Sequence, residues 1–144
     1  MSKFPIEIPL VSTTTVTAVG EVTSTPVTAL GGYRKAVVVF ELTDAAADVD
    51  DTLDIYIDTR VCGVWVNAAH LPQVLGNGAD SLKAVVVLGE GAELPETTPW
   101  LADLAAGRAL PMLLGDALRV RYVVAKGAND DQSFTFSVRA LMVP

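Results

Sequence analysis

Five aspartates, Asp44, Asp48, Asp50, Asp51 and Asp54, crowd one short stretch and offer the oxygen atoms a calcium ion would need. Ca²⁺ takes six to eight such ligands, and the best-known loop for it requires glycine at its sixth position and glutamate at its twelfth. The spacing here has neither, so the cluster is expected to be a solvated turn between strands, where Asp is common. His70 lies between Ala69 and Leu71 with no nucleophile patterned near it. A nucleophilic triad needs three groups, and a satisfied or partly buried structural histidine is the expectation. Cys62 reads as a small buried hydrophobe. As the only cysteine it forms no intrachain disulfide, and with His70 it falls short of the roughly four ligands of a structural zinc site. Asp54 and Asp58 share one strand face about 13 Å apart, too far for a glycosidase carboxylate pair. No glycine loop for phosphate is present. The residue types therefore predict no catalytic site, no metal site and no cofactor.

The elements that must position these groups are strands. Residues 35–43 bury Ala36, Val38, Phe40 and Leu42 by alternation, and residues 52–59 set Leu53, Ile55 and Ile57 against Asp54, Tyr56 and Asp58. Residues 64–67 form a short strand around Trp65, which is assigned to the core. Residues 71–75 follow as a further short segment. After the turn signal Gly76-Asn77-Gly78, residues 82–88 are an apolar strand carrying Leu82, Ala84, Val86 and Leu88. Two further alternating runs, Leu118-Val120-Tyr122-Val124 and Phe134-Phe136-Val138-Ala140-Met142, flank a polar turn at residues 126–131. They are read as a β-hairpin with one face buried and one wet.

Upstream, residues 11–30 hold seven threonines and read as two short polar strands. Residues 1–10 are an extended N-terminal arm in which Phe4, Ile6 and Ile8 alternate with Pro5 and Pro9. Lacking N–H groups, the prolines confine the arm to a sheet edge or to a neighbouring molecule. From residue 89 to 114 periodicity fails, Pro95, Pro99 and Pro111 interrupt, and residues 101–106 allow at most one or two helical turns ended by Gly107. A loop of that length is usually functional or interfacial, and Trp100, Leu101 and Leu104 are its candidate contact residues. The prediction is an all-β, antiparallel β-sandwich, jelly-roll-like, with the arm at residues 1–10, a single domain over 11–144 and one long irregular loop.

Composition bounds the partners. Seventeen acidic against ten basic residues give a net charge of −7 with no basic stripe, which argues against nucleic acid. No stretch approaches the roughly 20 apolar residues of a membrane span, and the N-terminus lacks a signal-peptide core. The lone cysteine points to synthesis in a reducing compartment. Hydrophobic residues at 51% with charged residues at 19% point either to apolar surface buried between subunits or to the valine and alanine of an all-β chain.

Six segments together resemble a family of small structural proteins of tailed-bacteriophage virions. They are Phe40-Glu41-Leu42-Thr43-Asp44-Ala45, Thr52-Leu53-Asp54-Ile55-Tyr56-Ile57-Asp58, Trp65-Val66-Asn67, Gln73-Val74-Leu75-Gly76-Asn77-Gly78, Leu118-Arg119-Val120-Arg121-Tyr122-Val123-Val124 and Ser133-Phe134-Thr135-Phe136-Ser137-Val138. One departure stands out: Arg60-Val61-Cys62-Gly63-Val64 replaces the family's Asp-Gly-Gly before the tryptophan. The resemblance implies a non-enzymatic capsid decoration (cement) protein, made in the host cytoplasm and carried on the outer surface of the virion. It would bind the major capsid protein and reinforce the head, commonly as a trimer. Phe4, Ile6 and Ile8 of the arm would lap over or augment a neighbour. A neck, tail or fibre-base component is the alternative within the virion, and a carbohydrate- or cell-surface-binding sandwich is the alternative outside it.

Overall fold

A computed structural model describes residues 3–45, 48–76, 83–89, 103–110 and 114–144. The described residues form ten strands: β1 (Ile6–Val16), β2 (Gly20–Thr23), β3 (Lys35–Asp44), β4 (Thr52–Val61), β5 (Val64–His70), β6 (Val74–Leu75), β7 (Lys83–Gly89), β8 (Arg108–Ala109), β9 (Ala117–Ala125) and β10 (Phe134–Val143). Two antiparallel sheets result. The first runs β1-β10-β3-β7, and the second runs β2-β9-β4-β5-β8 with β6 paired to the end of β4. The all-β sandwich expected from the alternation is therefore what the chain adopts.

The pairing is nested. β1 pairs with β10, β2 with β9, β3 with β7 and β4 with β5, so the chain doubles back on itself as one long ribbon. Successive rungs of that ribbon alternate between the two sheets. Its tip is the two-residue turn Cys62-Gly63, where φ is +51° and +78°. Both central residues at positive φ define a type I′ turn, whose twist matches that of the flanking strands. Cys62 is thus exposed at a turn tip, not a buried hydrophobe. A second glycine is required by contact: a Cβ at Gly115 would overlap the Arg60 carbonyl, because the chain entering β9 crosses close to the end of β4.

The inner faces carry the expected alternating sets. Phe40, Phe136, Val38, Ile55, Ile57 and Leu53 are each at most 1% exposed. Phe136 of the first sheet meets Phe40 beside it at a ring separation of 5.9 Å and Tyr122 of the second sheet edge-on at 5.3 Å, so one ring ties both layers.

Several expectations are refined or overturned. Residues 118–124 and 134–142 are not a hairpin: β9 lies in the second sheet and β10 in the first. The connection over residues 126–133 exceeds the roughly two to five residues of hairpin loops and carries the chain from one layer to the other. The threonine-rich region does supply two largely exposed strand segments, but the first, with Thr13, Thr14 and Thr15, is the end of β1, and only Gly20–Thr23 is a separate strand. Residues 6–10 of the arm belong to β1 as well, an edge strand with register shifts after Pro9 and Val11. Trp65 is half-buried on the outer face, not in the core.

Two stability outcomes follow from these placements. Phe136→Ala is expected to cost about 3–5 kcal/mol, read by urea unfolding. Cys62→Asn, which supplies the residue a type I′ turn prefers at its first position, is expected to raise stability by about 0.5–1 kcal/mol in the same titration.

Candidate functional site

The polar side chains with chemical capacity gather on the outer face of the second sheet. Alternation along β4 turns Tyr56, Asp58 and Arg60 outward. Register places Arg121 and His70 on either side of Tyr56, Arg119 and Asn67 on either side of Asp58, and Trp65 beside Arg60. A bulge sharpens the arrangement: Ile57 pairs with Ala69 and Asp58 with Asn67, so Ala68 is the extra residue of β5. Asn67 Nδ2 lies within hydrogen-bond reach of the Ile57 carbonyl (3.2 Å), the Ala69 carbonyl (3.0 Å) and Asp58 Oδ1 (3.1 Å), pinning the irregular backbone.

Asp58 is the centre of this face, with its side chain only 2% exposed. Its Oδ2 accepts from Arg119 Nε at 2.9 Å and Arg121 Nε at 2.7 Å, and its Oδ1 accepts from Arg121 Nη2 at 3.1 Å. Arg121 also donates to Asp103 (2.6 Å) and Glu21 (3.2 Å), and its guanidinium lies 4.7 Å from the Tyr56 ring centroid. Burial alone would lower the Arg121 pKa. The hydrogen bonds to Asp58, Asp103 and Glu21 outweigh it and raise the value above the ordinary arginine range. Burial, followed by the charges of Asp54 and Asp103, pushes the Tyr56 hydroxyl above its ordinary value. Trp65 stacks under cations, with Arg119 at 4.3 Å and Arg60 at 5.6 Å from its ring. Asp58, Trp65, Asn67, Asp103, Arg119 and Arg121 line a shallow polar hollow of about 280 Å³.

The same groups hold a loop. His70 is stacked on Tyr56 at 4.0 Å, with Nε2 2.8 Å from Asp54 Oδ1 and Nδ1 2.8 Å from the Leu104 carbonyl. Both ring nitrogens face oxygen atoms, one of a carboxylate and one of the backbone. The Leu104 N–H donates to Asn67 Oδ1 (2.9 Å), Gly107 N–H to the His70 carbonyl (2.8 Å) and Leu110 N–H to the Ala68 carbonyl (2.8 Å). With the short β5–β8 pairing, these bonds clamp residues 103–110 along the edge of the sheet. Catalysis-capable groups are here spent on fixing the backbone.

The acidic turn behaves differently from expectation. Asp51 is fully buried, and its carboxylate accepts from the N–H of Asp48 (2.9 Å) and of Gly127 (2.7 Å). Asn129 Nδ2 donates to Asp48 at 2.6 Å. The turn thus fastens residues 48–51 to the inter-sheet connection after β9 instead of standing free in solvent. Asp131 closes the group, with carboxylate oxygens of Asp48, Asp51 and Asp131 all within 4.8 Å of one another. Desolvation, then the Asp48 charge, pushes the Asp131 carboxyl above the usual range.

Of the residues singled out from sequence, Phe4 is 76% exposed and Ile6 40% exposed, whereas Ile8 packs against the core. Leu104 turns onto Val66 and Leu110 in a small second apolar cluster. Trp100 and Leu101 lie outside the described residues, as does most of the long loop. Its described part contains β8 and a turn at Gly107, with no helix over residues 103–106. Asp58, Asn67, Arg119, Arg121 and Asp103 were not singled out as a group. The available signal was the paired outward arginines 119 and 121 set against outward Asp58 on another strand. Compared with known protein families and curated proteins, the chain matches no family model and no curated sequence.

Removing the Asp58 carboxylate leaves two arginines without their shared acceptor. Asp58→Ala is expected to cost about 3 kcal/mol in urea unfolding and to raise hydrogen exchange across residues 103–110. For Asp131 the folded state binds the proton more tightly than the unfolded chain, so its contribution to stability is greatest in acid and is lost as pH rises through the raised value. Asp131→Asn is therefore expected to raise Tm at about pH 7, with the gain vanishing near about pH 3 in a thermal-melt series.

Proposed function

We propose that the protein is a non-enzymatic structural component of a tailed-bacteriophage virion, a capsid decoration protein that binds the major capsid protein on the outer surface of the head. The reading rests on the resemblance of the strand segments and is supported by the nested pairing of β1 with β10, β2 with β9, β3 with β7 and β4 with β5. That winding is what a jelly-roll-like sandwich requires, and viral capsid proteins use such sandwiches repeatedly. Fold alone does not assign a task, so particular residues must carry it. The observation that does so is the start of β1: Phe4 just ahead of this edge strand and Ile6 as its first residue stand 76% and 40% exposed, an apolar tip left outside the core. Such a tip beside unpaired backbone suits strand addition or lapping onto a lattice neighbour. The groups on the second sheet's outer face support the same reading, because they are engaged in holding a loop.

A sugar-binding sandwich is the second reading, favoured by half-buried Trp65 beside the polar hollow. Against it, two guanidiniums already lie over the indole. Glycan-array binding lost on Trp65→Ala would select this reading instead.

Residues 6–10 are paired into the first sheet and Leu10 is buried, so deleting the arm would cut the fold. The test therefore uses Phe4→Asp with Ile6→Ser. This variant is expected to keep its Tm and lose binding to purified heads, and retained binding would remove the arm from the interface. Quantitative mass spectrometry of virions is expected to find the chain near stoichiometric with the major capsid protein. A few copies per particle would place it at the neck, tail or fibre base, and its absence would end the virion reading.

A further inference from the structure

The apolar tip ahead of β1 is restrained on both sides. Phe4 is followed by Pro5, whose ring fixes its own φ and confines the residue before it to extended backbone. Ile6 then pairs with Met142, so only Pro5 separates Phe4 from the first sheet. On the other side of Phe4 the restraint comes from Lys3.

Lys3 lies along the turn at residues 29–33. Its ammonium sits 4.7 Å from the Tyr33 ring centroid and donates to the Ala29 carbonyl at 3.4 Å. Its stem crosses Gly32 so closely that a Cβ there would overlap it. Ala29 itself holds a left-handed φ of +62°, a conformation that a residue with a Cβ keeps only where its surroundings fix it. Those surroundings are firm. Leu30 N–H donates to the Asp116 carbonyl just ahead of β9 (2.9 Å), Tyr33 N–H to the Leu30 carbonyl (3.0 Å) and Arg34 N–H to the Val143 carbonyl at the end of β10 (2.9 Å). The turn is thus bonded to both sheets, and the lysine that grips it ties the residue before Phe4 to the body of the sandwich.

We propose that Lys3 and the 29–33 turn form a latch that presents Phe4 as a fixed knob for docking, with Lys3 the positioning residue and Phe4 the contact. Phe4 is 76% exposed between two restrained neighbours. A side chain with two rotatable bonds on backbone that is already ordered loses little further entropy when a partner closes over it. Such a knob fits a preformed apolar pocket of single-ring size, the setting in which aromatic anchors dominate an interface. The inference rests on the capsid reading for the partner, in which that pocket belongs to the major capsid protein. The latch itself is a property of the free chain.

Amide nitrogen relaxation of the intact chain reads the latch with no partner present. The order parameter at Phe4 is expected near the value of about 0.85 typical of rigid backbone in wild type and in Lys3→Arg, which keeps the cation. In Lys3→Met, which keeps a long stem without the charge, it is expected below about 0.6. Gly32→Ala is expected to loosen Phe4 in the same way with unchanged Tm, because the new methyl group displaces only the flexible end of the lysine. A mobile Phe4 in wild type, or variants that leave it as rigid as wild type, would overturn the latch. Docking is read by co-sedimentation with purified heads. Lys3→Met and Gly32→Ala are expected to bind about tenfold more weakly although Phe4 is intact, while Lys3→Arg retains wild-type affinity. Equal binding by the loosened variants would overturn the docking role. Failure of wild type to bind heads would overturn the capsid reading, and the relaxation result tells that failure apart from failure of the latch.

Discussion

A carboxylate with almost no solvent exposure on the outside of a sheet is the constraint from which much of this molecule follows. Asp58 sits on the outer face of β4, where water would normally hydrate it, yet its side chain is only 2% exposed. Burying a charge there is tolerable only with partners supplied from several directions. Arg119 and Arg121 come from β9 and Asn67 from the bulged part of β5. Arg121 then reaches Glu21 on β2 and Asp103 in the loop before β8, so one ion ties four strands and a loop. The bulge at Ala68, the packing of Trp65 under two arginines and the course of residues 103–110 all depend on that centre.

The apolar core answers a different question, which is how the two sheets close. Nested pairing makes the chain cross between layers at most of its connections, and β1 and β10 pair across nearly the whole length of the chain. The connections must themselves be fixed, and here buried Asp51 matters. By accepting from backbone N–H groups at both Asp48 and Gly127, it locks the β3–β4 turn to the β9–β10 crossing. Its burial and the crowding of Asp48 and Asp131 beside it are two aspects of one joint: the joint gathers negative charge in order to hold backbone.

What the sequence made legible was the face of each strand. Val38 and Phe40, Leu53, Ile55 and Ile57, and Phe134, Phe136 and Val138 are inward as their alternation requires, because a period of two reports burial on one side. It reports nothing about which strand lies alongside. Residues 118–124 and 134–142 alternate equally well whether they pair with each other or, as here, with β2 and β4 on one hand and β1 and β3 on the other. Residue type also misled where position decided. Trp65 is hydrophobic but stands opposite outward Arg60, and Cys62 is small and apolar but must take positive φ at a turn tip. The candidate site was illegible for the same reason, since Asp58, Asn67 and the arginines belong to three strands brought together only by register.

The distribution of satisfied and unsatisfied surface then bears on what the molecule is for. On the second sheet the polar groups close on one another: His70 uses both ring nitrogens, Asp58 both oxygens, and Arg121 engages three carboxylates. A reaction or a ligand there would have to displace bonds that hold the loop and the bulge in place, and breaking a buried ion pair typically costs about 3–5 kcal/mol. The first sheet presents the reverse, with an apolar tip at Phe4 and Ile6 at one edge and exposed valines along β7 at the other. These are surfaces whose burial would release ordered water without breaking any contact the fold relies on. The polar chemistry of the molecule is thus closed on itself across the second sheet, while the large apolar groups left exposed at Phe4, Ile6, Val85 and Val87 belong to the first.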